Sequence, residues 1–465
     1  MSDVDVVPRP TGATQPTGRA RPFTADLLGL LAVASCVVTT WLWVRTGGVQ
    51  QTILYPSMAM DSLGLYTGLM ASNLMILQVF YLARIPWVEQ SWGHDVLAHR
   101  HRLLGLWSFW LMIAHVVAFA LQRMGRAPEE KLAALWTVFV TDSWMLLASL
   151  GTLMLILVVI TSIRMARRRL RYESWHLLHL YSYLGMGLAL PHQLFDGMHF
   201  HELWAQLYWW GMYLIALAAI IGYRLALPLW RSAHHRITVT SVKPETPGVV
   251  SILMQGHRLD KLRTKSGQFF IWRFLDGNGW SRGNPYTISD APDGDQLRIT
   301  IQAAGDGSER AARLTPGTRV LIEGPYGTMT AQLRSRPGIL MMAAGVGITP
   351  FRGLLEDTPY QPGEAVLIYR YSEDTHLIFR DELLELAERR GIRLIFLPGP
   401  RRDDNSWLPA GTTGDEVEIL TTLVPDIAER DVFACGPPPW IRSVRKTTRA
   451  AGLPTQNFHH EDFAW

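Results

Sequence analysis

Hydrophobic residues are distributed unevenly along this chain of 465 residues. Between about residues 23 and 230 lie six apolar runs of about 20 residues each, the length that a helix needs to cross a bilayer. We predict membrane spans near residues 23–45, 62–84, 101–122, 143–164, 175–194 and 203–227. The 22 residues before them are rich in Pro, Thr, Gly and Arg and are predicted to be a disordered tail.

The hydrophobic pattern changes near residue 233. Short alternating segments follow: RITVTSV, VVSILMQG, QFFIWRF, QLRITIQA and TRVLIEG. They predict an antiparallel β-barrel over residues 233–331. From residue 336, buried strands alternate with helices, beginning with GILMMAAGVGITPFRGLL, which predicts a parallel α/β sheet over 336–465. The expected fold is thus a membrane all-α six-helix bundle over 23–230, joined to two soluble domains.

Charge gives the predicted orientation. Lys and Arg concentrate in the loops after the second, fourth and sixth spans, so both termini are expected in the cytoplasm of a multi-pass cell-membrane protein. These loops account for the net charge of +4, and no separate basic patch indicates nucleic-acid binding. The two cysteines, Cys36 and Cys435, are too few for a disulfide framework or a Cys-ligated zinc or iron–sulfur site.

Four histidines inside two predicted spans are candidate metal ligands. His101 and His115 lie in the third span, and His179 and His192 in the fifth. Because both spans run in the same direction, His101 is expected opposite His179, and His115 opposite His192. The two levels would be roughly 20 Å apart. This arrangement suits two stacked bis-histidine b haems. Pro191 is expected to re-aim His192, because the fifth-span spacing of 13 residues is not a whole number of turns.

Other interpretations of the histidines remain open. His99 and His176 could form an inner pair, although the sixteen-residue spacings fit one helix face less well. The four histidines could instead be satisfied polar residues of a bundle, or a proton-sensing cluster. The interfacial histidines are either plain loop residues or contacts to haem propionates or substrate. They are His94, His99, His176, His199 and His201.

The second half resembles the ferredoxin–NADP reductase family in the order of its motifs. These are GQFF at 267–270, NPYTIS at 284–289, GDGSERAA at 305–312, EGPYG at 323–327, GVGITP at 345–350, ACGPPP at 434–439 and the ending EDFAW. The resemblance implies that FAD and a nicotinamide dinucleotide bind here. One departure is Asn284, where the family commonly has Arg; Arg282 could substitute for it.

The resemblance also assigns site residues. The flavin contacts would be Tyr286, Thr287, Ile288 and Ser289, and the FAD phosphates would bind at Gly305, Gly307 and Ser308. The nicotinamide dinucleotide would be held by Gly345, Gly347, Thr349 and Pro350, with Cys435, Gly436 and Pro437 near the nicotinamide.

The chain ending and three arginines complete this assignment. The resemblance implies a set of catalytic residues, which are Thr287, Cys435, Glu461, Phe463 and Trp465. Either Phe463 or Trp465 would stack on the flavin ring. Arg370, Arg401 and Arg402 either hold the 2′-phosphate of NADPH, the preferred cofactor, or are solvated surface charges.

Together the halves resemble the NADPH oxidase and ferric reductase superfamily from about residue 23 to 465. The matches include HR at 101–102, WHLLH at 175–179 and the four-histidine spacing. The resemblance implies that electrons pass from NAD(P)H through FAD and two haems to an external acceptor. A membrane haem protein that senses or conducts protons is the alternative from another class.

The electron acceptor is predicted from the residues that are expected near the outer face of the membrane. Oxidases of the family place a cationic group and a histidine by the outer haem, but here Phe119 follows His115 by one turn, and the loop QQTILYPSMAMD has no Arg. A ferric complex is therefore favoured over oxygen, whose product would be superoxide. Asp196, His199 and His201 in the last outer loop are candidate contacts to an iron chelate.

Overall fold

The computed structural model describes residues 23–126, 129, 131–163, 172–195, 202–277, 283–303 and 305–461. Its described part divides into two compact units. The helical unit comprises Thr24–Val88 and Val96–Arg224, and the strand-rich unit comprises Glu89–Asp95 and the chain from Leu225 onwards.

Long apolar helices build the helical unit. The described α-helices up to residue 235 are α1 Phe23–Arg45, α2 Gly48–Leu54, α3 Pro56–Leu82, α4 Pro86–Trp92, α5 His94–Arg126, α6 Lys131–Trp136, α7 Ser143–Ser162, α8 Tyr172–Phe195, α9 Leu203–Ala219 and α10 Leu227–His235. The last of them, α10, already belongs to the strand-rich unit. Two π-helical segments, Thr137–Thr141 and Ile220–Ala226, precede α7 and α10. Because the second continues directly into α10, the last apolar helix extends beyond its predicted end at residue 227.

Five helices in the described ranges are long and apolar enough to cross a membrane. They are Ala25–Arg45, Pro56–Leu82, Val96–Gly125, Ser143–Ser162 and Leu203–His235. The predicted span at 175–194 also forms one helix, α8, which continues through Pro191 but is not among these five. Its histidines, tyrosines and Gln193 make it more polar than the others. Several predicted spans are thus apolar helices, and the count of six stays a prediction.

Small and polar residues join the helices of this unit. A Cβ on Gly151 of α7 would lie 2.5 Å from the carbonyl oxygen of Gly185 in α8, so the two backbones pack closely. On α3, the fully buried Asn73 donates from Nδ2 to Ser35 Oγ of α1 at 3.2 Å. Asn73 Oδ1 accepts from Tyr208 Oη of α9 at 3.3 Å. This one amide therefore connects three helices.

The strand-rich unit begins with two antiparallel sheets. Their strands follow the alternating segments, except for Asn284–Thr287, which was not predicted to be a strand. The strands are β1 Thr238–Thr246, β2 Val249–Gln255, β3 Phe269–Phe274, β4 Asn284–Thr287, β5 Gln296–Gln302 and β6 Val320–Tyr326. Their orders are β1-β2-β5 and β4-β3-β6, and isolated bridges between Ile288 and Ile299 and between Thr238 and Arg319 connect them. The inward residues of both sheets form one hydrophobic core. The described strands thus form two linked sheets, and closure into a barrel stays a prediction.

A five-stranded parallel sheet follows. Its strands are β7 Ile339–Ala344, β8 Ala365–Tyr371, β9 Arg393–Pro398, β10 Asp431–Cys435 and β11 Phe458–His460, in the order β11-β10-β7-β8-β9. The α-helices of the strand-rich part are α11 Asp306–Ala311, α12 Thr349–Asp357, α13 Arg380–Arg390, α14 Glu416–Leu423 and α15 Pro438–Ala450. Alternate residues of β7 enter hydrophobic cores on opposite faces of the sheet. Both faces are covered, as is typical of parallel α/β sheets.

Candidate functional site

The four candidate histidines form two facing pairs inside the helical unit. The ring centroids of His101 and His179 are 5.9 Å apart, and those of His115 and His192 are 6.3 Å apart. These are the pairs predicted from the sequence. A single metal ion between two imidazole nitrogens, with bonds of about 2 Å each, fits such a separation.

In all four rings the nitrogen that contacts a protein oxygen is Nδ1. The contacts are His101 to Gln78 O at 3.4 Å, His115 to Gly64 O at 2.8 Å, His179 to Ser162 Oγ at 3.3 Å, and His192 to Ala189 O. A proton on Nδ1 that is donated to such an oxygen fixes the tautomer and leaves the lone pair of Nε2 for a metal. In all four imidazoles the Nδ1 contact is therefore compatible with the tautomer that would leave Nε2 for a metal.

A cavity of about 850 Å³ lies at the second pair. His115 and His192 both line it, and the thioethers of Met75, Met112, Met145 and Met186 form part of its wall. A Cβ on Gly68 would lie 2.4 Å from His115 Nδ1, so this glycine gives the imidazole room against α3. The cavity thus combines two nitrogen ligands with an apolar wall.

These features fit b-type haem. A porphyrin supplies four nitrogen ligands and leaves two axial positions, which is what each histidine pair offers. Within the described ranges, no group of three or more His, Cys, Asp or Glu side chains could hold a metal ion. At the first pair, Trp175 packs against His179 with ring centroids 5.1 Å apart. The donor sets are therefore pairs, suited to a metal that brings its own equatorial ligands.

In the strand-rich unit, β4 carries the predicted flavin contacts. Trp272 Nε1 donates to Tyr286 O at 2.9 Å and fixes the strand. Thr287 is buried, and its Oγ1 has no hydrogen-bond partner among the residues that the structure describes. A buried hydroxyl without a partner is costly, so Thr287 Oγ1 suits a bound ligand that would satisfy it. Burial raises the pKa of Tyr286 to about 12, which keeps its phenol protonated and able to donate.

Two of the four predicted flavin residues face inward. Ile288 belongs to the hydrophobic core of the two sheets. Ser289 is fully buried, and its Oγ bonds with Thr300 Oγ1 at 2.8 Å. Only the backbone of these two residues could contact a flavin, so the side-chain contacts come down to Tyr286 and Thr287.

The predicted phosphate turn starts helix α11. The Gly305 backbone N–H donates to Ser308 Oγ at 3.1 Å, which tightens the turn. A Cβ on Gly307 would lie 2.8 Å from Asn284 Oδ1, so the amide of Asn284 reaches from β4 to this turn. The residue that replaces the family's usual Arg is therefore placed against the predicted phosphate turn. Arg282 lies outside the described residues.

The predicted nucleotide turn and the Cys435 motif are in contact. Gly345 has a positive φ of 58°, and Gly347 approaches so closely that a Cβ there would lie 2.3 Å from Cys435 O. β7 and β10 are neighbouring parallel strands, so the loops after them meet at one edge of the sheet, where α/β proteins bind nucleotides. Thr349 and Pro350 begin α12 beside this turn.

The residues around the nicotinamide position are only partly described. The Cys435 side chain is fully buried, so its predicted contact with the nicotinamide needs a rearrangement and stays a prediction. A Cβ on Gly327 would lie 2.9 Å from Glu461 Oε1, which places Glu461 against the loop after β6. Phe463, Trp465, His199 and His201 lie outside the described residues.

Of the three candidate phosphate-binding arginines, two form a positive pair. Arg370 Nη2 donates to Gly399 O at 3.2 Å, and its buried Nε has no hydrogen-bond partner in the structure. Burial and the nearby positive charge of Arg401 lower the pKa of Arg370. An anion between two such guanidiniums would relieve their repulsion. Arg401 also pairs with the exposed Asp404 at 2.6 Å, and Arg402 pairs with Glu416 at 2.9 Å.

Sequence reasoning missed two sets of polar residues. Tyr213 Oη donates to Gln193 Oε1 at 2.9 Å in the cavity wall, next to His192; polar residues inside an apolar span were the available signal. In the strand-rich unit, Arg298 Nη1 is 2.7 Å from Glu382 Oε1. These two residues are 84 positions apart, and no local pattern links them.

Comparisons with known proteins agree with this division. Residues 67–190 match the family described as "Ferric reductase like transmembrane component", and residues 341–446 match "Oxidoreductase NAD-binding domain". Ferredoxin–NADP reductase B of Sorangium cellulosum is 32 % identical over 193 residues, which cover 38 % of this chain and 77 % of that protein. The chain belongs to the ferredoxin–NADP reductase family. Because this family's FAD- and NAD-binding module follows a ferric reductase-like membrane component, the predicted fusion is confirmed.

Two reductase subunits are further relatives of this member of the ferredoxin–NADP reductase family. The reductase subunit of stachydrine N-demethylase from Rhizobium meliloti is 32 % identical over 250 residues, covering 51 % of this chain and 68 % of that protein. The glycine betaine monooxygenase reductase subunit from Chromohalobacter salexigens is 26 % identical over 242 residues, covering 50 % and 65 %. The chain thus spans about two thirds of the length of these relatives.

Proposed function

We propose that the chain is a multi-pass cell-membrane oxidoreductase. It takes electrons from cytoplasmic NAD(P)H, with NADPH preferred, and delivers them through FAD and two b haems to an external acceptor, in the first place a ferric complex. When bound, FAD would accept hydride and release electrons singly, and the haems would relay them across the bilayer. The predicted boundaries 23–230, 233–331 and 336–465 are part of this proposal, as is the cytoplasmic position of both termini.

The observation that carries the proposal is the pair of facing histidine couples. Each couple places two imidazoles at a separation that suits axial ligation, and each ring has Nδ1 on a protein oxygen. The helical unit contains two such couples. They supply what the soluble module lacks, which is a path through a membrane.

The side chains of the strand-rich unit support the electron-donating half. Thr287 Oγ1 would bond the flavin ring, and the Gly305–Ser308 turn with Asn284 would face its phosphates. The Gly345–Ile348 turn would hold the dinucleotide, and Arg370 with Arg401 would bind the 2′-phosphate of NADPH. This last contact supports NADPH over NADH, because a phosphate pairs well with guanidinium groups.

Oxygen is the second candidate acceptor, and one observation favours it. Arg123, two turns after His115, lines the same cavity as His115 and His192. Arg123 would thus give the proposed outer pair a cationic group. Sequence reasoning looked for such a group one turn after His115 and in the loop QQTILYPSMAMD. The same charge would also attract an anionic ferric chelate, so the acceptor must be measured.

A spectrum tests the proposal. The purified protein, mixed anaerobically with NADPH, is expected to bleach its flavin absorbance and develop reduced b-haem bands. Ferric chelate added afterwards should reoxidise the haem, and an air-saturated sample with and without superoxide dismutase separates the oxygen alternative. Protein that lacks haem would contradict both the proposal and the alternative of a haem-containing sensor or proton conductor. Protein whose haem is present but is never reduced by NADPH would contradict the proposal and favour that alternative.

A further inference from the structure

A network of charged side chains connects the two parts of the strand-rich unit. Its members are Asp290 and Arg298 from the antiparallel sheets, and Arg352, Glu356 and Glu382 from helices α12 and α13 beside the parallel sheet. We call this set the charge bridge. With the exposed Arg389, which pairs with Glu356 at 3.2 Å, three positive and three negative groups balance.

Arg298 is the buried centre of the charge bridge. Its side chain is only 9 % exposed. Nη1 and Nη2 contact Glu382 Oε1 and Oε2 at 2.7 and 2.9 Å, so the ion pair is bidentate. Nη2 also donates to Ser289 O at 3.1 Å, and the guanidinium lies 4.8 Å from the ring centroid of Phe379. These contacts fix the guanidinium plane against both parts of the unit.

Arg352 provides a second crossing. Its Nε donates to Glu382 Oε2 at 2.8 Å, and its Nη1 contacts both Asp290 and Glu356. The backbones also meet here, because a Cβ on Gly353 would lie 2.8 Å from Asp290 O. Helix α12 is therefore held directly on the chain segment that contains Asp290.

The charge bridge lies between the two predicted cofactor sites along the chain. Asp290 follows Tyr286–Ser289, the segment with the flavin contacts, and Ser289 itself accepts a hydrogen bond from Arg298. Arg352 lies in α12, which begins directly after the nucleotide turn at Gly345–Ile348. A change in the charge bridge would thus shift the nucleotide turn relative to the flavin strand.

Stability alone is a weak reason for such a network. Replacing a buried ion pair by apolar residues is often neutral or stabilising, because the pair must be desolvated. The geometric effect is larger, since displacing reacting atoms by about 1 Å can slow a reaction about 100-fold. A rigid bidentate link at this position acts on the distance between hydride donor and acceptor.

We propose that the charge bridge is a positioning element that sets the nicotinamide site against the flavin site and so controls the rate of hydride transfer. This rests on the proposed FAD and NAD(P)H sites. Arg298 contacts the predicted flavin segment only at the backbone oxygen of Ser289, and Glu382 contacts Arg298 and Arg352. Both residues therefore act through Ser289, Asp290 and α12.

Three variants of the full-length flavin-loaded protein test this. E382Q removes one partner without changing its shape, and R298K keeps the charge but loses the bidentate fork. D381N is the matched control, because Asp381 precedes Glu382 in the same helical turn and is 93 % exposed. The measurement is the rate of flavin bleaching after anaerobic stopped-flow mixing with saturating NADPH, together with flavin content and the unfolding midpoint.

Both R298K and E382Q are expected to slow flavin bleaching by about 10- to 100-fold, while the apparent Kd for NADPH changes by less than about threefold. D381N should stay within about twofold of the wild type. The double variant R298M/E382M should recover the unfolding midpoint without recovering the rate, which separates positioning from stability.

Two results would overturn the inference. If R298K and E382Q bleach flavin as fast as D381N, the charge bridge does not position the sites. If R298M/E382M restores the rate along with the midpoint, its role is stability alone. A wild-type protein that holds flavin and bleaches it keeps the proposed function intact in either case, whereas a wild type without flavin defeats both.

Discussion

The two units treat polar side chains in opposite ways. In the helical unit each candidate imidazole has its Nδ1 on one oxygen, such as Gly64 O for His115. In the strand-rich unit the charged groups share partners, as Arg352 does with Asp290, Glu356 and Glu382. A single local oxygen fixes a ring and leaves its other nitrogen for a ligand, whereas a shared network fixes whole segments. In the helical unit these contacts thus orient single candidate ligands. In the strand-rich unit the shared contacts fix segments of the chain relative to one another.

The largest effect is expected from removing the ligands at the cavity. The variant H115A/H192A should lose one of the two proposed haems and lower acceptor reduction by about 100-fold or more, because no other side chain replaces an axial ligand. NADPH should still bleach the flavin. The ratio of haem to FAD, from a pyridine haemochrome spectrum, checks this.

His99 offers the matched control, since it lies on the same helix α5 and H99A should keep both haems. Full haem content in H115A/H192A would contradict the assignment of this pair and return His99 and His176 to consideration.

The next largest effect is expected at Gly347, where the backbone of the nucleotide turn lies against the backbone of Cys435. In G347A the new Cβ would lie 2.3 Å from Cys435 O, so the nucleotide turn must move. We expect flavin reduction by NADPH to slow by about 10- to 100-fold with FAD content retained. Stopped-flow bleaching measures it. G187A in α8 is the control, because no heavy atom of the described residues lies within 4 Å of its added Cβ. Equal rates for both variants would show that the close approach of Gly347 to Cys435 is not needed for flavin reduction.

The buried carboxylate of Asp431 is expected to make the stability of the strand-rich unit depend on pH. Its carboxylate is fully buried and accepts from the backbone N–H groups of Ser335 at 2.6 Å and Arg336 at 2.8 Å, and from Asn457 Nδ2 at 2.8 Å. Burial alone would raise the pKa of Asp431, but these bonds and His459 together hold it below its ordinary value. The resulting stability is present above the ordinary pKa of an aspartate and is lost as pH falls through the lowered pKa.

D431N should therefore lower the free energy of unfolding by about 1–3 kcal/mol near neutral pH. The difference from the wild type should shrink in acid, because the wild-type carboxylate then becomes protonated. Thermal unfolding followed at neutral and acid pH measures both. A difference that is constant across pH would show that the charge of Asp431 does not contribute.

The smallest effect is expected at the dinucleotide phosphate. R370Q should raise the KM for NADPH by about tenfold and leave that for NADH unchanged, because it removes one charge-assisted bond to a 2′-phosphate. R380Q is the control, since Arg380 is 64 % exposed and pairs with Asp381. Steady-state kinetics with both cofactors decide it, and an equal change for NADPH and NADH would rule out a role in discrimination.

Much of the helical unit could be predicted because a polar residue in an apolar run is conspicuous. The histidine pairs follow from spacing and helix direction, even though α8 continues through Pro191 rather than breaking there. The start of α3 at Pro56, before the predicted span, was missed because its first residues are less apolar. The cavity could not be predicted, since it depends on how five helices pack.

In the strand-rich unit most strands and the glycine turns could be predicted from the sequence, but the ion pairs could not. Hydrophobic alternation marks β1, β2, β3, β5 and β6. The short segments NPYT of β4 and FHH of β11 give no such signal, so these two strands were missed. Glycines at 345 and 347 are visible as a motif. The partners of Arg298 are not, because a long-range ion pair leaves no periodic trace in either segment.

The methionine wall of the cavity has a consequence for loading. Thioether side chains are unbranched and turn about three bonds, so they adapt to a guest at little expense. By changing rotamers, the methionine side chains of the cavity wall could pack against the proposed haem. These are Met75, Met112, Met145 and Met186. The helices should then have the same arrangement with and without the proposed haem. Binding of the haem would need only a rearrangement of side chains.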